Sequence, residues 1–354
     1  MSSPALSVLD LVPVRSDQTS ADAVAASVDL ARAADRLGYR RYWVAEHHNM
    51  PAVAATNPPV LIGLLAGRTE RIRVGSGGVM LPNHAPLVVA EQFALLEAAF
   101  PGRIDLGIGR APGTDPVTRW ALRHGAGGVD DNAVERFSEY VDNVLAMMEP
   151  DGVGLAVRGA THVLKATPAA RSVPAIWLLG SSDYSARLAA EKGMPYVFAH
   201  HFSGSGTAEA LDLYRSTFQP SPELAEPRTF LTVNAAVAET EEQAQLLAVP
   251  QLLQMVALRT GQPLTAQRLV EEAEQVVAAG LPEGHAGLLA AMRRRWVIGD
   301  PAGAGAEIEQ LASSYGVDEV MINPVAGALA GTEPGTAPAR VRTLELLASS
   351  IGSL

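Results

Sequence analysis

The chain has 354 residues, of which 48% are hydrophobic and 18% are charged, and this length suits either two average domains or one barrel with insertions. Its formal net charge of −11 argues against a nucleic-acid partner, because phosphate backbones are bound by clustered cations. Since the chain contains no cysteine, disulfides, thiolate nucleophiles, iron–sulfur clusters and Cys-ligated zinc are all excluded.

Short apolar runs alternate along the chain with longer helical patterns, which is typical of βα units around a parallel sheet. The clearest helix is predicted over residues 132–149. The sequence after the first run is no glycine-rich dinucleotide turn, so we predict a single (β/α)8 TIM barrel. The eight predicted strands are residues 6–14, 39–46, 72–81, 104–109, 175–180, 195–199, 230–238 and 320–323.

Two insertions interrupt this alternation within a single predicted domain, residues 1–354. Residues 151–168 predict a β-hairpin or loop before the fifth strand. Residues from about 240 to 300, between the seventh and eighth strands, are too long for one crossover and predict several helices. We interpret them as a lid over the site, hinged at glycine and proline breaks, and the alternative is a rigid helical cap.

Apolar patterning also predicts location and assembly. No run reaches the roughly 20 apolar residues of a membrane span, and the first residues show no secretory signal, so we expect a cytoplasmic protein without membrane contact. The helices predicted near residues 58–67 and 87–100 are apolar on more than one face. A barrel helix needs only one buried stripe, so we predict a homodimer; burial under the chain's own loops is the alternative.

Active sites of such barrels lie at the carboxyl ends of the strands. Polar residues follow five of the predicted strands and therefore converge on one face, and this convergence is the main functional signal. They are Glu46-His47-His48, Pro82-Asn83-His84, Arg110, Gly180-Ser181-Ser182 and His200-His201. From this set we take Glu46, His47 and His201 as candidate catalytic residues.

Each signal has a structural alternative. Glu46, His47 and His48 suggest a metal site, but adjacent residues on an extended strand point to opposite sides, so we predict no metal. Glu46 either orients a histidine or is a polar group of the barrel wall, and His47 is either catalytic or structural. The glycines at 75, 77 and 78 indicate either a bulge or the close approach of a flat ligand.

An anion site is predicted where the fifth strand leads into a helix. Ser182 is well placed to cap that helix, and capping alone would explain it. A helix start also presents free amides and a positive dipole end, and Arg110 on the neighbouring strand adds a forked cation. Together they predict a phosphorylated cofactor.

Glu46, His47, Arg110 and Ser182 lie within motifs that resemble the luciferase-like flavin-dependent monooxygenases. The resemblance is densest from Tyr42 to Gly113, and the order of the strands extends it across most of the chain. It is carried by WVAEHH at 43–48, NP at 57–58, GSGGVMLP at 75–82, AEQ at 90–92, FPGRIDLGIGRAPG at 100–113, GSS at 180–182, AA at 189–190 and GMP at 193–195.

The resemblance implies a barrel that binds reduced FMN, supplied by a flavin reductase, and O2. A flavin C4a-peroxide then oxidises a small organic substrate. By matching positions, His47 is the histidine that acts as a base. The cofactor-binding positions implied are Gly77 and Gly78 at a non-prolyl cis peptide beside the isoalloxazine, and Arg110, Ser181, Ser182 and Ser185 around the phosphate.

Two departures place the chain near the non-luminous branch of that family. Gly109 stands where the luciferases have a cysteine, and Ser181 where they have an acidic residue. The Ala-Pro-Gly that follows Arg110 also resembles the non-luminous branch. Two alternative functions remain: a deazaflavin (F420)-dependent reductase or dehydrogenase on the same barrel, and a non-catalytic flavin-binding subunit.

Overall fold

The computed structural model describes residues 3–111, 115–123 and 131–352, so Pro112 and Gly113 of the family-like motif lie outside the described residues. The strands are β1 Ala5–Asp10, β2 Arg41–Val44, β3 Arg73–Ser76, β4 Val79–Met80, β5 Ile104–Gly109, β6 Val153–Val157, β7 Ala160–Leu164, β8 Ala175–Gly180, β9 Tyr196–Phe198, β10 Thr229–Val237, β11 Val297–Gly299 and β12 Glu319–Pro324. The helices are α1 Ser20–Arg36, α2 Pro58–Ala66, α3 Pro86–Ala99, α4 Pro116–Arg123, α5 Phe137–Met148, α6 Asp183–Glu191, α7 His200–Ser203, α8 Thr207–Thr217, α9 Glu241–Leu247, α10 Val249–Arg259, α11 Val270–Ala278, α12 His285–Arg293, α13 Pro301–Tyr315 and α14 Pro338–Ile351.

Eight parallel strands close into a barrel, which confirms the predicted fold. Their order around the barrel is β1, β2, β3, β5, β8, β9, β10 and β12, and β12 pairs again with β1. Val8 of β1, for example, is in register with Tyr42 on one side and with Ile322 on the other. The predicted hairpin is β6 and β7, placed before the fifth barrel strand.

The third predicted strand is interrupted, and the reason is steric. β3 ends at Ser76, the Gly77–Gly78 peptide is cis, and β4 then pairs separately with β5. A Cβ atom on Gly78 would lie 2.7 Å from the carbonyl oxygen of Gly107, so the backbones of neighbouring strands touch here. This close approach requires a glycine whether or not a ligand lies nearby.

Buried ions close the amino-terminal end of the barrel. The Arg41 guanidinium donates to Asp105 Oδ2 at 2.8 Å and to Glu319 Oε1 at 2.6 Å, and it lies 4.9 Å from the ring centroid of Trp177. These side chains are almost fully buried, and removing one partner from such a set costs about 3–5 kcal/mol. The barrel is therefore filled at this end, and a ligand must enter at the other.

The long insertion packs as a helical unit over the barrel mouth. It contains α9 to α12 and β11, as the prediction of several helices required, and Pro250 in the first turn of α10 separates that helix from α9. Its own apolar core includes Leu252, Val256 and Met292. The segment is tied to the barrel loops, since Gln267 N donates to Val14 O at 2.7 Å and Gly327 N donates to Leu247 O at 2.7 Å.

Most of the apolar residues that suggested a second subunit are buried in the chain's own core. Leu61, Leu65, Phe93 and Leu96 are among these, so they give no support to a dimer. An exposed apolar set nevertheless remains on α2 and α3: Val60, Val88 and Leu95, with exposures of 69%, 46% and 56%.

No helix in the described part of the chain combines the length and the hydropathy that a membrane crossing requires.

Candidate active site

A cavity of about 400 Å³, the main cavity, lies at the carboxyl ends of the barrel strands. Its size is within the range of cofactor and small-molecule sites. Helix α10 of the long insertion covers it with Gln251, Met255 and Leu258. All the site residues chosen from the sequence line this one cavity, namely Glu46, His47, Gly77, Gly78, Arg110, Ser181, Ser182, Ser185 and His201.

One end of the main cavity is suited to an anion. Ser182 occupies the N-cap position of α6, but its side chain makes no capping hydrogen bond, so capping does not explain this serine. Ser185 is buried in the first turn, and a Cβ atom on Gly180 would overlap its hydroxyl oxygen. Gly180 therefore lets the helix start approach β8 closely and leaves its amides directed at the cavity.

Arg110 supplies the positive charge at this end. Its guanidinium carbon lies 3.9 Å from the ring centroid of Tyr184 on α6, a cation–π contact that fixes it beside the helix start. Among the described residues no carboxylate pairs with Arg110, whereas the nearby Arg187 is exposed and pairs with Asp183 at 3.5 Å. Arg110 is thus available for a forked contact with a phosphate.

Glu46 organises another part of the cavity wall, and it does so through residues other than His47. Its Oε1 accepts from His48 Nε2 and from His84 Nε2, each at 2.7 Å, and its Oε2 accepts from Met80 N at 2.9 Å. Burial alone would raise the pKa of Glu46, but these hydrogen bonds and the nearby His84 hold it at about 2. Glu46 is therefore a carboxylate that fixes two imidazoles and one loop.

The same three side chains are the closest approach to a metal site in the described part of the chain. One potential ligand atom from each of Glu46, His48 and His84 lies within 4.8 Å of the others. The Nε2 atoms of both imidazoles donate to Glu46, so a cation bound through these two nitrogens would displace both hydrogen bonds. His47 lies between Glu46 and His48 in the sequence but does not belong to this group.

His47 faces the main cavity separately from that cluster. Its Nδ1 is buried without a hydrogen-bond partner, which is unusual for a structural histidine. Burial lowers the pKa of His47. The charge of Glu46 acts in the opposite direction, and His48 lowers the pKa further. The imidazole is therefore neutral at pH 7 and keeps a nitrogen free for a ligand or a proton.

His201 is a second neutral imidazole in the cavity, and a threonine on β10 holds its ring. Thr232 Oγ1 lies 2.9 Å from His201 Nδ1 and 3.2 Å from Phe198 O, so it is a hydrogen-bond partner of the imidazole. Burial lowers the pKa of His201 to about 4, with smaller effects from His200 and His47. The imidazole is therefore neutral at pH 7, and in the described structure no protein group binds its Nε2.

Several cavity residues were missed by the sequence analysis. Thr232 and Asn234 on β10 and Asn323 on β12 line the cavity, and Asn323 Nδ2 donates to Asn234 Oδ1 at 2.7 Å. Alternating polar residues in these two apolar strands were a usable signal. Nothing in the helical pattern of α10 indicated that Gln251 and Met255 would reach the site.

Comparison with known proteins defines the class of this chain. The family model of the luciferase-like monooxygenases matches residues 6–319 of the sequence, and the chain belongs to this family. It is 40% identical over 319 residues to a luciferase-like monooxygenase of Escherichia coli K12, covering 90% of this chain and 91% of the relative. It is 37% identical over 260 residues to the N-acetyl-S-alkylcysteine monooxygenase of Bacillus subtilis, covering 72% and 74%. The protein is therefore an oxidoreductase.

Solved structures agree with this fold. Apo-MsnO8 superimposes with a TM-score of 0.84 at 33% identity, covering 99% of this chain and 98% of that one. The oxygenating constituent of 3,6-diketocamphane monooxygenase from Pseudomonas putida, in complex with FMN, has a TM-score of 0.70 at 18% identity, covering 99% and 98%. An F420-dependent secondary alcohol dehydrogenase has a TM-score of 0.63 at 15% identity, covering 96% and 99%. One of these structural neighbours thus binds FMN, and another depends on F420.

Proposed function

We propose that the protein is a monooxygenase that binds reduced FMN in the main cavity and oxidises a small organic substrate with O2. When bound, the reduced flavin supplies the two electrons that let one oxygen atom enter the substrate and the other leave as water. The observation that carries the proposal is the anion end of the cavity, where Arg110 stands beside the uncapped start of α6.

The protonation states around the cavity support oxygen chemistry. Glu46 is ionised, and the imidazoles of His47 and His201 are neutral at pH 7. None of these three groups can donate an acidic proton to reduced oxygen before the substrate reacts. His47, with its unpartnered nitrogen, is the group we assign to proton transfer as a base.

The charge distribution favours FMN over F420. The longer, anionic tail of F420 needs cations beyond the phosphate contact, and Arg110 is the only cation among the described residues that line the main cavity. Arg187 pairs with Asp183 and does not line it. The cavity-lining positions of His47 and Arg110 also argue for a catalytic protein and against an idle flavin-binding subunit.

The decisive experiment is an anaerobic titration of the protein with reduced FMN, oxidised FMN and reduced F420. We expect reduced FMN to bind most tightly. Arg110→Ala should weaken it more than tenfold, because losing a forked charge-assisted contact costs about 1.5–3 kcal/mol. Arg187→Ala is the matched control and should bind like the wild type. Unchanged affinity in Arg110→Ala, or preferential binding of F420, would overturn the assignment.

Turnover then requires a flavin reductase as the source of reduced FMN. Incubation with that reductase, FMN, NAD(P)H and a panel of small organic substrates should give products heavier by one oxygen atom in mass spectrometry. A protein that binds reduced FMN but gives no oxygenated product from any panel member would favour the non-catalytic alternative.

A further inference from the structure

A second cavity, the side chamber, lies against the main cavity and has a volume of about 260 Å³. His47, Gln251 and Met255 line both, so they form a shared wall. Other residues line the side chamber alone, among them Val53 beyond β2 and Leu264 between α10 and α11. The two cavities can therefore hold two different molecules with His47 between them.

The walls of the side chamber are mostly apolar, and the polar exceptions are His47, Arg340 and a few side-chain amides. Met50, Leu258 and Val325 are typical of the lining. Gln267 Nε2 donates to Gln251 Oε1 at 2.7 Å. This bond leaves the amide nitrogen of Gln251 and the amide oxygen of Gln267 for a ligand, so the chamber offers a neutral donor and a neutral acceptor.

The chamber offers an ionised ligand no unpaired countercharge. Its one permanently charged lining residue in the described structure is Arg340. The guanidinium donates to Asp10 Oδ1 at 2.5 Å and to Pro324 O at 3.0 Å, and the Asp10 carboxylate is fully buried. An anion placed here would be desolvated without compensation, whereas an uncharged molecule would lose little.

We propose that the side chamber binds the organic substrate as an uncharged, mainly hydrocarbon molecule with one carbonyl or amide group. An apolar cavity of about 150 Å³ takes benzene, so 260 Å³ corresponds to about ten non-hydrogen atoms. The assignment rests on the proposed function, because it presumes that the flavin takes the main cavity. It places His47 at the boundary between cofactor and substrate.

The test uses 2-phenylacetamide and phenylacetate, which have the same number of non-hydrogen atoms and differ in charge. Calorimetric titration of the full-length protein without flavin should show phenylacetamide binding at least roughly tenfold more tightly than phenylacetate. Val53→Phe fills the side chamber and should weaken phenylacetamide by a similar factor. Val277→Phe, on the exposed side of α11 at 41% exposure, is the matched control and should bind as the wild type does.

A second filling variant, Leu264→Trp, lies on the loop after α10 and serves if Val53→Phe does not fold. Either filling variant should bind reduced FMN normally. Equal or tighter binding of phenylacetate, undiminished binding in a folded filling variant, or displacement of phenylacetamide by FMN would overturn the chamber assignment. If the wild-type protein binds phenylacetamide but does not bind reduced FMN, the proposed function alone is overturned.

Discussion

His201 should make the fold sensitive to mild acid, and the size of the effect follows from its environment. In the unfolded chain a histidine protonates near pH 6.5, whereas burial lowers the pKa of folded His201 to about 4. The neutral imidazole therefore contributes stability that is complete above about pH 6.5 and is lost as the pH falls towards 4. Between pH 7.5 and 4.5 this loss amounts to about 2.5 kcal/mol in the free energy of unfolding.

The perturbation is His201→Gln, which keeps a hydrogen-bonding group beside Thr232 but cannot titrate. Urea unfolding at pH 7.5 and 4.5 should show a pH effect smaller by about 2.5 kcal/mol in the variant than in the wild type. A residual effect is expected because the pKa of His47 is also lowered. Glu46, with its pKa at about 2, loses its contribution mostly below this window.

Thr232→Val separates the titration from the hydrogen bond. It removes the hydrogen-bond partner of His201 Nδ1 and should lower the free energy of unfolding by about 1–3 kcal/mol at pH 7.5, while the histidine still titrates. If His201→Gln and the wild type lose equal stability between the two pH values, the folded imidazole is protonated near its ordinary pH and the reasoning is refuted.

Three further predictions concern catalysis, the insertion and assembly. His47→Ala should melt within a few degrees of the wild type yet give less oxygenated product, and either failure to fold or normal turnover would make His47 structural. Limited proteolysis of the apo protein should cut first within residues 255–290, at the exposed breaks between α10, α11 and α12, and reduced FMN with substrate should protect them; equal cutting with and without ligands would indicate a rigid cap. Light scattering at micromolar concentration should give twice 37.1 kDa for the wild type and the mass of one chain for Leu95→Arg, because this variant places a charge on the exposed apolar face of α2 and α3. The control variant Val277→Asp should remain dimeric, and a monomeric wild type would contradict the dimer.

The sequence by itself determined the barrel and the residues around its mouth. Eight apolar runs separated by helical patterns have few other ways to bury their surfaces, and parallel strands bring their carboxyl ends to one face. Residues as distant as Glu46 and His201 could therefore be assigned to one site without coordinates. The local spacing of Glu46, His47 and His48 also indicated that only alternate side chains share a side, and Glu46 does bind His48.

Only the tertiary structure decided what each polar group contacts. Sequence patterns describe one segment at a time, whereas His84 reaches Glu46 from another loop and Thr232 on β10 contacts the imidazole of His201 on α7. The break of the third strand at Gly78 depends on how closely β5 packs against it, which local propensity cannot encode. The side chamber exists because α10 lies over the barrel loops, and the packing that places Gln251 there is specified by contacts between segments far apart in the chain.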